Sequence, residues 1–227
     1  MGVAAEPVVE PPAAQHPPHR DQLGRALRVG ELGPLVERTQ PGIALVDHRF
    51  LDDLRAVRDT QAPALRIVAF GGDDADDLTR LVAAHPTTFE AVDTAADDVA
   101  LFGPTSGSTG VPKVTMHFHR DVLSIDNTFG RHVLALRPDD AVACSAPFAF
   151  TFGLGMLVVF TLRAGATAFL TEAATPAVLA DLVHEHGVSV LATAPTAYKQ
   201  IIKTGLVEKL AGLRVAVSAG EHIPEWT

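Results

Sequence analysis

The chain has 227 residues, of which 47% are hydrophobic and 20% charged, which is the composition of a folded globular protein. Its formal net charge of −9 gives no basic footprint for nucleic acid or for an anionic membrane surface, so neither partner is expected. The single cysteine, Cys144, cannot form an internal disulfide, and its apolar surroundings predict a buried core thiol in a cytoplasmic protein.

Proline-rich sequence opens the chain. Pro7, Pro11, Pro12, Pro17 and Pro18 support neither a helix nor a strand ladder, so residues 1–22 are predicted to be a disordered lead-in. No basic segment followed by an apolar core is present there, which argues against a signal peptide. Residues 23–227 are predicted to form the folded part.

Helices and strands are predicted to alternate from residue 23 onward. Apolar periodicity and β-rich runs predict, in chain order, a helix starting at 23 and ending before 41, strands at 43–46 and 66–70, a helix near 78–84 and a strand at 99–102. A helix over 120–134 is predicted next, with a buried stripe at Val122, Ile125, Phe129 and Val133. The apolar stretch 152–170 is interrupted by a charge and a glycine, so no membrane span is expected.

Capping residues delimit the later elements. Thr175, Pro176 and Gly187 predict the start and end of one helix, and Pro195 and Gly205 those of another. Tyr198, Ile201 and Ile202 are expected to face inward, and strands are predicted at 188–192 and 213–217. The fold class is therefore α/β, a mostly parallel sheet flanked by helices, with ligands expected beyond the carboxyl ends of the strands, after Phe102, Ser145 and Val217.

A segment rich in glycine and hydroxyl side chains follows the strand at 99–102. It ends in Val111-Pro112-Lys113, and its polar and glycine residues are Thr105, Ser106, Gly107, Ser108, Thr109, Gly110 and Lys113. Hydroxyl donors, close backbone approach and one cation suit a polyphosphate. Lys113 follows Pro112, which departs from the P-loop of kinases, and a flexible linker is the alternative interpretation.

The segment Thr105 to Lys113 resembles the signature loop of the adenylate-forming superfamily of AMP-dependent synthetases and ligases. The resemblance implies that this loop binds the β- and γ-phosphates of ATP with Mg²⁺, in the large N-terminal domain of an acyl-CoA synthetase-like fold. It implies that a carboxylic acid is activated as an acyl-adenylate and then passed to coenzyme A, the reaction of an AMP-forming acid–thiol ligase.

Aromatic side chains alternate at Phe148, Phe150 and Phe152, just before Gly153. The alternation favours a half-buried strand and an aromatic pocket about equally. The segment is similar to the acyl pocket of aryl-CoA ligases such as benzoate-CoA and 2-aminobenzoate-CoA ligase, which implies that Phe150, Phe152 and Gly153 shape that pocket. Many acyl-CoA synthetases have His where Phe150 stands, so a flat aromatic acid is expected.

Two further segments bear on the site. Ser218, Ala219, Gly220 and Glu221 resemble the family's loop between adenine and acyl pocket. Residues 115–121 are similar to those of 2-aminobenzoate-CoA ligase-like proteins. They contain His117 and His119, but no third ligand at a telling spacing, so no metal site is predicted there.

Several parts of the family's enzymes have no counterpart in the sequence, among them the small C-terminal domain that carries the adenylation lysine. The chain is therefore expected to be a partial AMP-binding domain over 23–227, weakly active or inactive alone, and a C-terminal half or companion chain is an expected partner. Two alternatives are a non-catalytic nucleotide-binding or interaction module and a fatty- or amino-acid ligase that uses a carrier-protein thiol.

Overall fold

The structure is a computed structural model that describes residues 29–73, 77–105, 113–147 and 149–223. The prediction for residues 1–22 lies outside these ranges. Within them, no helix is long and apolar enough to cross a membrane. The cytoplasmic location stays a prediction.

The first unit is a small α/β layer. Helix α1 (Val29–Thr39) is followed by strand β1 (Ile43–Asp47), a 3-10 turn, helix α2 (Leu51–Gln61), strand β2 (Arg66–Phe70) and helix α3 (Leu78–Ala83). β1 and β2 pair in parallel, as their separation by a helix predicts. Their helices cover one face with a core of Val36, Leu54, Val57 and Leu65, and the predicted strands at 43–46 and 66–70 are confirmed.

An antiparallel hairpin comes next. Strand β3 (Val99–Thr105) pairs with β4 (Lys113–Phe118) in a register that sets Thr105 opposite Lys113. The sequence interpretation missed β4, although Val114 and Thr115 are β-branched residues that favour strands. The glycine-rich segment therefore connects the two strands of this hairpin.

The helix after the hairpin buries a different face from the predicted one. Helix α4 (His119–Ile125) continues as a π-helical segment over Asp126–Leu134, whose buried residues are Asp126, Gly130 and Leu134. The predicted buried stripe was wrong, because its members Ile125, Phe129 and Val133 are 45%, 39% and 65% exposed.

The reason for this burial lies in a partner distant in the sequence. Arg163 Nε donates to Asp126 Oδ2 at 3.3 Å, and a Cβ on Gly130 would lie 2.9 Å from Phe160 Cδ1. Gly130 thus allows the close approach of the helix that contains Phe160 and Arg163. Spacing along one helix does not reveal which side such a partner will cover.

The main sheet has four parallel strands in the order β6, β5, β7, β8. They are β5 (Ala141–Cys144), β6 (Thr167–Phe169), β7 (Val190–Thr193) and β8 (Val215–Ser218). Between β5 and β6 the chain forms helix α5 (Thr151–Leu154), a π-helical turn (Gly155–Val159) and helix α6 (Phe160–Ala164). The half-buried strand that the alternating aromatic residues favoured as one interpretation is wrong at Phe152, which lies in α5.

Helices α7 (Pro176–His186) and α8 (Pro195–Lys203) connect the later strands, as predicted from their caps. Thr175 Oγ1 accepts a hydrogen bond from Val178 N, and Gly187 ends α7 with φ of 68°. In α8, Ile201 is fully buried, whereas Ile202 is 55% exposed, which corrects its predicted inward position. The prediction of an α/β fold with mostly parallel pairing is confirmed.

Two apolar layers enclose the main sheet. One face packs on α5, α6 and the intervening π turn, and its core contains Val142, Met156, Phe160 and Val190. The other packs on α7, with Leu179 and Leu191 fully buried. Cys144 belongs to the first core at 5% exposure, as predicted, and burial raises the pKa of its thiol.

A charged network closes the amino-terminal edge of the main sheet. Asp140, only 4% exposed, accepts hydrogen bonds from Arg214 Nε at 3.0 Å and from Ser189 Oγ at 2.7 Å. Burial raises the pKa of Asp140, but the bonds from Arg214 and Ser189 and from the backbone N–H of Arg137 outweigh burial and bring it to about 2. The network connects the residues that immediately precede β5, β7 and β8.

Candidate functional site

The loops that follow β5, β7 and β8 meet at the carboxyl edge of the main sheet. Thr193 Oγ1, fully buried, donates to Ser145 Oγ at 2.7 Å, and Ser145 N donates to Ala192 O at 3.0 Å. Ala219 N donates to Thr193 O at 3.3 Å. These bonds fix the two loops predicted to carry ligand contacts, after Ser145 and after Val217, to the strand between them.

The predicted segment Ser218 to Glu221 begins on β8 and turns away from the sheet. The Ser218 hydroxyl is buried and has no hydrogen-bond partner in the described residues. Gly220 adopts φ of 89°, which favours glycine. Glu221 accepts hydrogen bonds from the Thr196 hydroxyl at 3.0 Å and from Thr196 N at 3.4 Å, which anchors the loop to the amino end of α8. An unpaired buried hydroxyl at a sheet edge is a group that a bound ligand can satisfy.

Tyr198 fastens α8 to the sheet beneath this loop. Its hydroxyl donates to Leu191 O at 2.7 Å and lies 3.4 Å from Val217 O, so one side chain bridges the carboxyl ends of β7 and β8. Burial raises the pKa of Tyr198 to about 12. The sequence predicted only that this ring faces inward, because its backbone partners belong to strands distant in the chain.

The aromatic segment divides into exposed and buried parts. Phe150 precedes α5 and is 64% exposed, while Phe152 packs against the core and Gly153 is buried. A Cβ on Gly153 would lie 2.2 Å from Pro147 O and 2.3 Å from Ala146 O. Only glycine lets the helix approach this loop so closely. Phe148 lies outside the described residues.

The predicted phosphate loop is described only at its ends. Thr105 and Lys113 are cross-strand partners, and Lys113 is exposed at the start of β4. The other predicted phosphate-binding residues, Ser106, Gly107, Ser108, Thr109 and Gly110, lie in residues 106–112, outside the described ranges. Their roles stay predictions.

An apolar cavity of about 180 Å³ lies between the hairpin, α4 and the start of α5. Its lining residues come from all three elements: Leu101, His117, Asp121, Val122, Ile125, Thr151, Leu154, Gly155 and Val159. Sequence reasoning had assigned none of these to a pocket, since they come together only when the hairpin packs beside α5. Neither Phe150 nor Phe152 lines this cavity.

A metal-ligand cluster is not found among the described residues. No three His, Cys, Asp or Glu side chains among residues 29–73, 77–105, 113–147 and 149–223 lie together in a way that could hold an ion. His117 instead hydrogen-bonds to Thr115, at 3.1 Å between Nε2 and Oγ1.

Comparison with known proteins decides the family. The family model described as AMP-binding enzyme matches residues 23–227. This chain belongs to the AMP-binding enzyme family. The resemblance inferred from Thr105 to Lys113 is thereby confirmed.

Its relatives include ligases of aromatic acids. The chain is 36% identical over 162 residues to benzoate–CoA ligase from Thauera aromatica, covering 70% of this chain and 31% of the relative. It is 34% identical over 181 residues to p-hydroxybenzoic acid–AMP ligase from Mycobacterium tuberculosis, covering 76% and 26%. The chain thus spans between a quarter and a third of the length of these relatives.

The solved structures agree with this placement. The anthranilate CoA ligase AuaEII, crystallised with anthranoyl-AMP, superposes with a TM-score of 0.79 at 28% identity, covering 87% of this chain and 40% of that protein. The α/β fold is therefore that of adenylate-forming enzymes.

Proposed function

We propose that this chain supplies the ATP-binding part of an AMP-forming acid–thiol ligase that activates an aromatic carboxylic acid and transfers it to coenzyme A. One observation carries the proposal: the hairpin register sets Thr105 opposite Lys113. The glycine- and hydroxyl-rich segment is then the hairpin's connection, and its donors are concentrated between two paired strand ends.

The phosphate-binding role follows from the chemistry of that connection. Backbone N–H groups next to Gly107 and Gly110, the hydroxyls of Ser106, Ser108 and Thr109, and the Lys113 ammonium together suit the β- and γ-phosphates of ATP. The residues fit a Mg²⁺ ion that arrives with the nucleotide, because Mg²⁺ is commonly held by substrate phosphates and water with few protein carboxylates. The ion would share the phosphate charge.

The acid site is proposed at the carboxyl edge of the main sheet. Phe150, Phe152 and Gly153 on one side, and the loop Ser218 to Glu221 on the other, follow strands that end at this edge. An aromatic acid is supported by the relatives, which are named for benzoate and hydroxybenzoate, and by the structure solved with anthranoyl-AMP.

The proposed reaction has two steps. A carboxylate oxygen of the acid bonds to the α-phosphorus of ATP as the bond to pyrophosphate breaks, giving the acyl-adenylate. The thiol of coenzyme A then bonds to the acyl carbon and AMP leaves. The chain's own residues bind and orient the reactants, which lowers the entropic part of the barrier. Because the chain spans between a quarter and a third of the length of these relatives, we propose that on its own it binds ligands but turns them over slowly.

The test uses the fluorescence of 2-aminobenzoate. The acid is titrated against the purified chain with and without ATP and Mg²⁺, and cyclohexanecarboxylate serves as the non-aromatic competitor. We expect saturable binding that benzoate displaces better than cyclohexanecarboxylate. Absence of saturable binding under both conditions contradicts the proposed function.

A further inference from the structure

The cavity between the hairpin, α4 and α5 has the size of a single aromatic ring. Its volume is about 180 Å³, and an engineered apolar cavity of about 150 Å³ in another protein binds benzene. Leu101, Val122, Ile125, Leu154 and Val159 form apolar walls. Binding of an aromatic ring here would be favourable, because the cavity removes the apolar surface of the ring from water.

The polar groups of the cavity are few. They belong to His117, Asp121 and Thr151. One Asp121 carboxylate oxygen already accepts a hydrogen bond from Phe118 N at 2.9 Å, a bond that caps α4. Thr151 is exposed, whereas His117 is half-buried, and only Nε2 of its two ring nitrogens has a hydrogen bond within the described residues.

The hydrogen bonds around Thr115 fix the tautomer of a neutral His117 ring. The Thr115 hydroxyl has one proton and donates it to Gly103 O at 3.0 Å. Its oxygen must then accept from His117 Nε2, 3.1 Å away. A neutral imidazole in this arrangement has its proton on Nε2, which leaves Nδ1 as an acceptor.

We propose that this cavity binds the ring of the acid and that His117 Nδ1 accepts a hydrogen bond from an amino or hydroxyl substituent on that ring. His117 is then a specificity residue that selects substituted benzoates over benzoate. The inference rests on the proposed function. It places the ring of the acid against Leu154 and Gly155. Phe150 and Phe152, which the sequence resemblance assigned to the acyl pocket, do not line the cavity.

The selectivity has a simple origin. A substituent that donates to Nδ1 replaces the hydrogen bond that this nitrogen makes to water in the free protein, whereas unsubstituted benzoate offers no donor in exchange. One such bond corresponds to about a tenfold difference in affinity. Removing the imidazole should abolish the preference and leave benzoate affinity nearly unchanged.

The experiment measures the affinities of benzoate, 2-aminobenzoate, 3-hydroxybenzoate and 4-hydroxybenzoate by calorimetry with ATP and Mg²⁺ present. The proteins are the unaltered chain, His117→Ala, the matched control His119→Ala, and Leu154→Trp, which fills the cavity. His119 is half-buried like His117 but does not line the cavity. Far-ultraviolet circular dichroism checks that each variant is folded.

The expected result has two parts. His117→Ala weakens at least one substituted acid about tenfold and benzoate less than about twofold, while His119→Ala changes none. Leu154→Trp weakens every acid. If a folded His117→Ala weakens all acids equally or none, or a folded Leu154→Trp binds normally, the inference is overturned and acid binding still supports the proposed function. If no acid binds the unaltered chain, the proposed function fails, and the inference fails with it.

Discussion

Replacing Gly153 with alanine is expected to destabilise the protein by about 2 kcal/mol, although alanine is the better helix former. The added methyl would lie 2.2 Å from Pro147 O and 2.3 Å from Ala146 O, both backbone atoms that no rotamer change can move away. Overpacking costs about 1–3 kcal/mol, and a rigid backbone clash belongs at the upper end of that range. Helix propensity returns at most about 1 kcal/mol, which leaves the estimated loss.

Urea unfolding followed by circular dichroism at 222 nm measures this loss. Gly212→Ala is the matched control, because the nearest atom to its added methyl would be 4.0 Å away, an ordinary contact. A Gly153→Ala variant as stable as the unaltered chain would refute the claim that the loop after β5 presses directly on α5.

The remaining predictions concern two ionisable side chains. Because Asp140 has a pKa of about 2 in the fold against 3.8 as its ordinary value, it contributes about 2 kcal/mol above pH 4 that is lost as the pH falls toward 2. Asp140→Asn should lack this part of the acid dependence in urea unfolding at several pH values, and an unchanged dependence would contradict the role of Arg214. Tyr198 is the single tyrosine, so absorbance at 295 nm should show it titrating near pH 12; titration near pH 10 in the folded chain would mean that its hydroxyl is not buried against Leu191.

Local chemistry made part of the fold predictable from sequence. The caps of α7 are Thr175 and Gly187, and each acts on backbone groups only a few residues away. The paired strands at 43–46 and 66–70 were found for a similar reason, since β-rich runs separated by one helix favour a parallel pair. Such patterns depend on residues that are close together in the sequence, so they can be recognised without knowing the rest of the structure.

The missed features depend on partners far along the chain. Gly130 and Asp126 are buried because of Phe160 and Arg163, so the exposed stripe that includes Phe129 looked like a core face from spacing alone. The candidate site also depends on residues that are far apart in the sequence. Its motifs were recognisable as short segments, but the cavity that includes His117 forms only when the hairpin and α5 pack together.

The most direct test of the account is the affinity of the chain for ATP with Mg²⁺, measured by calorimetry. Lys113→Ala removes the cation at the end of the proposed phosphate loop, and Lys203→Ala removes an exposed lysine at the end of α8 as the control. If Lys113 contacts the phosphates, the unaltered chain and Lys203→Ala bind ATP alike and Lys113→Ala binds it about tenfold more weakly. Equal affinities of all three proteins, or no binding by any of them, would contradict the account.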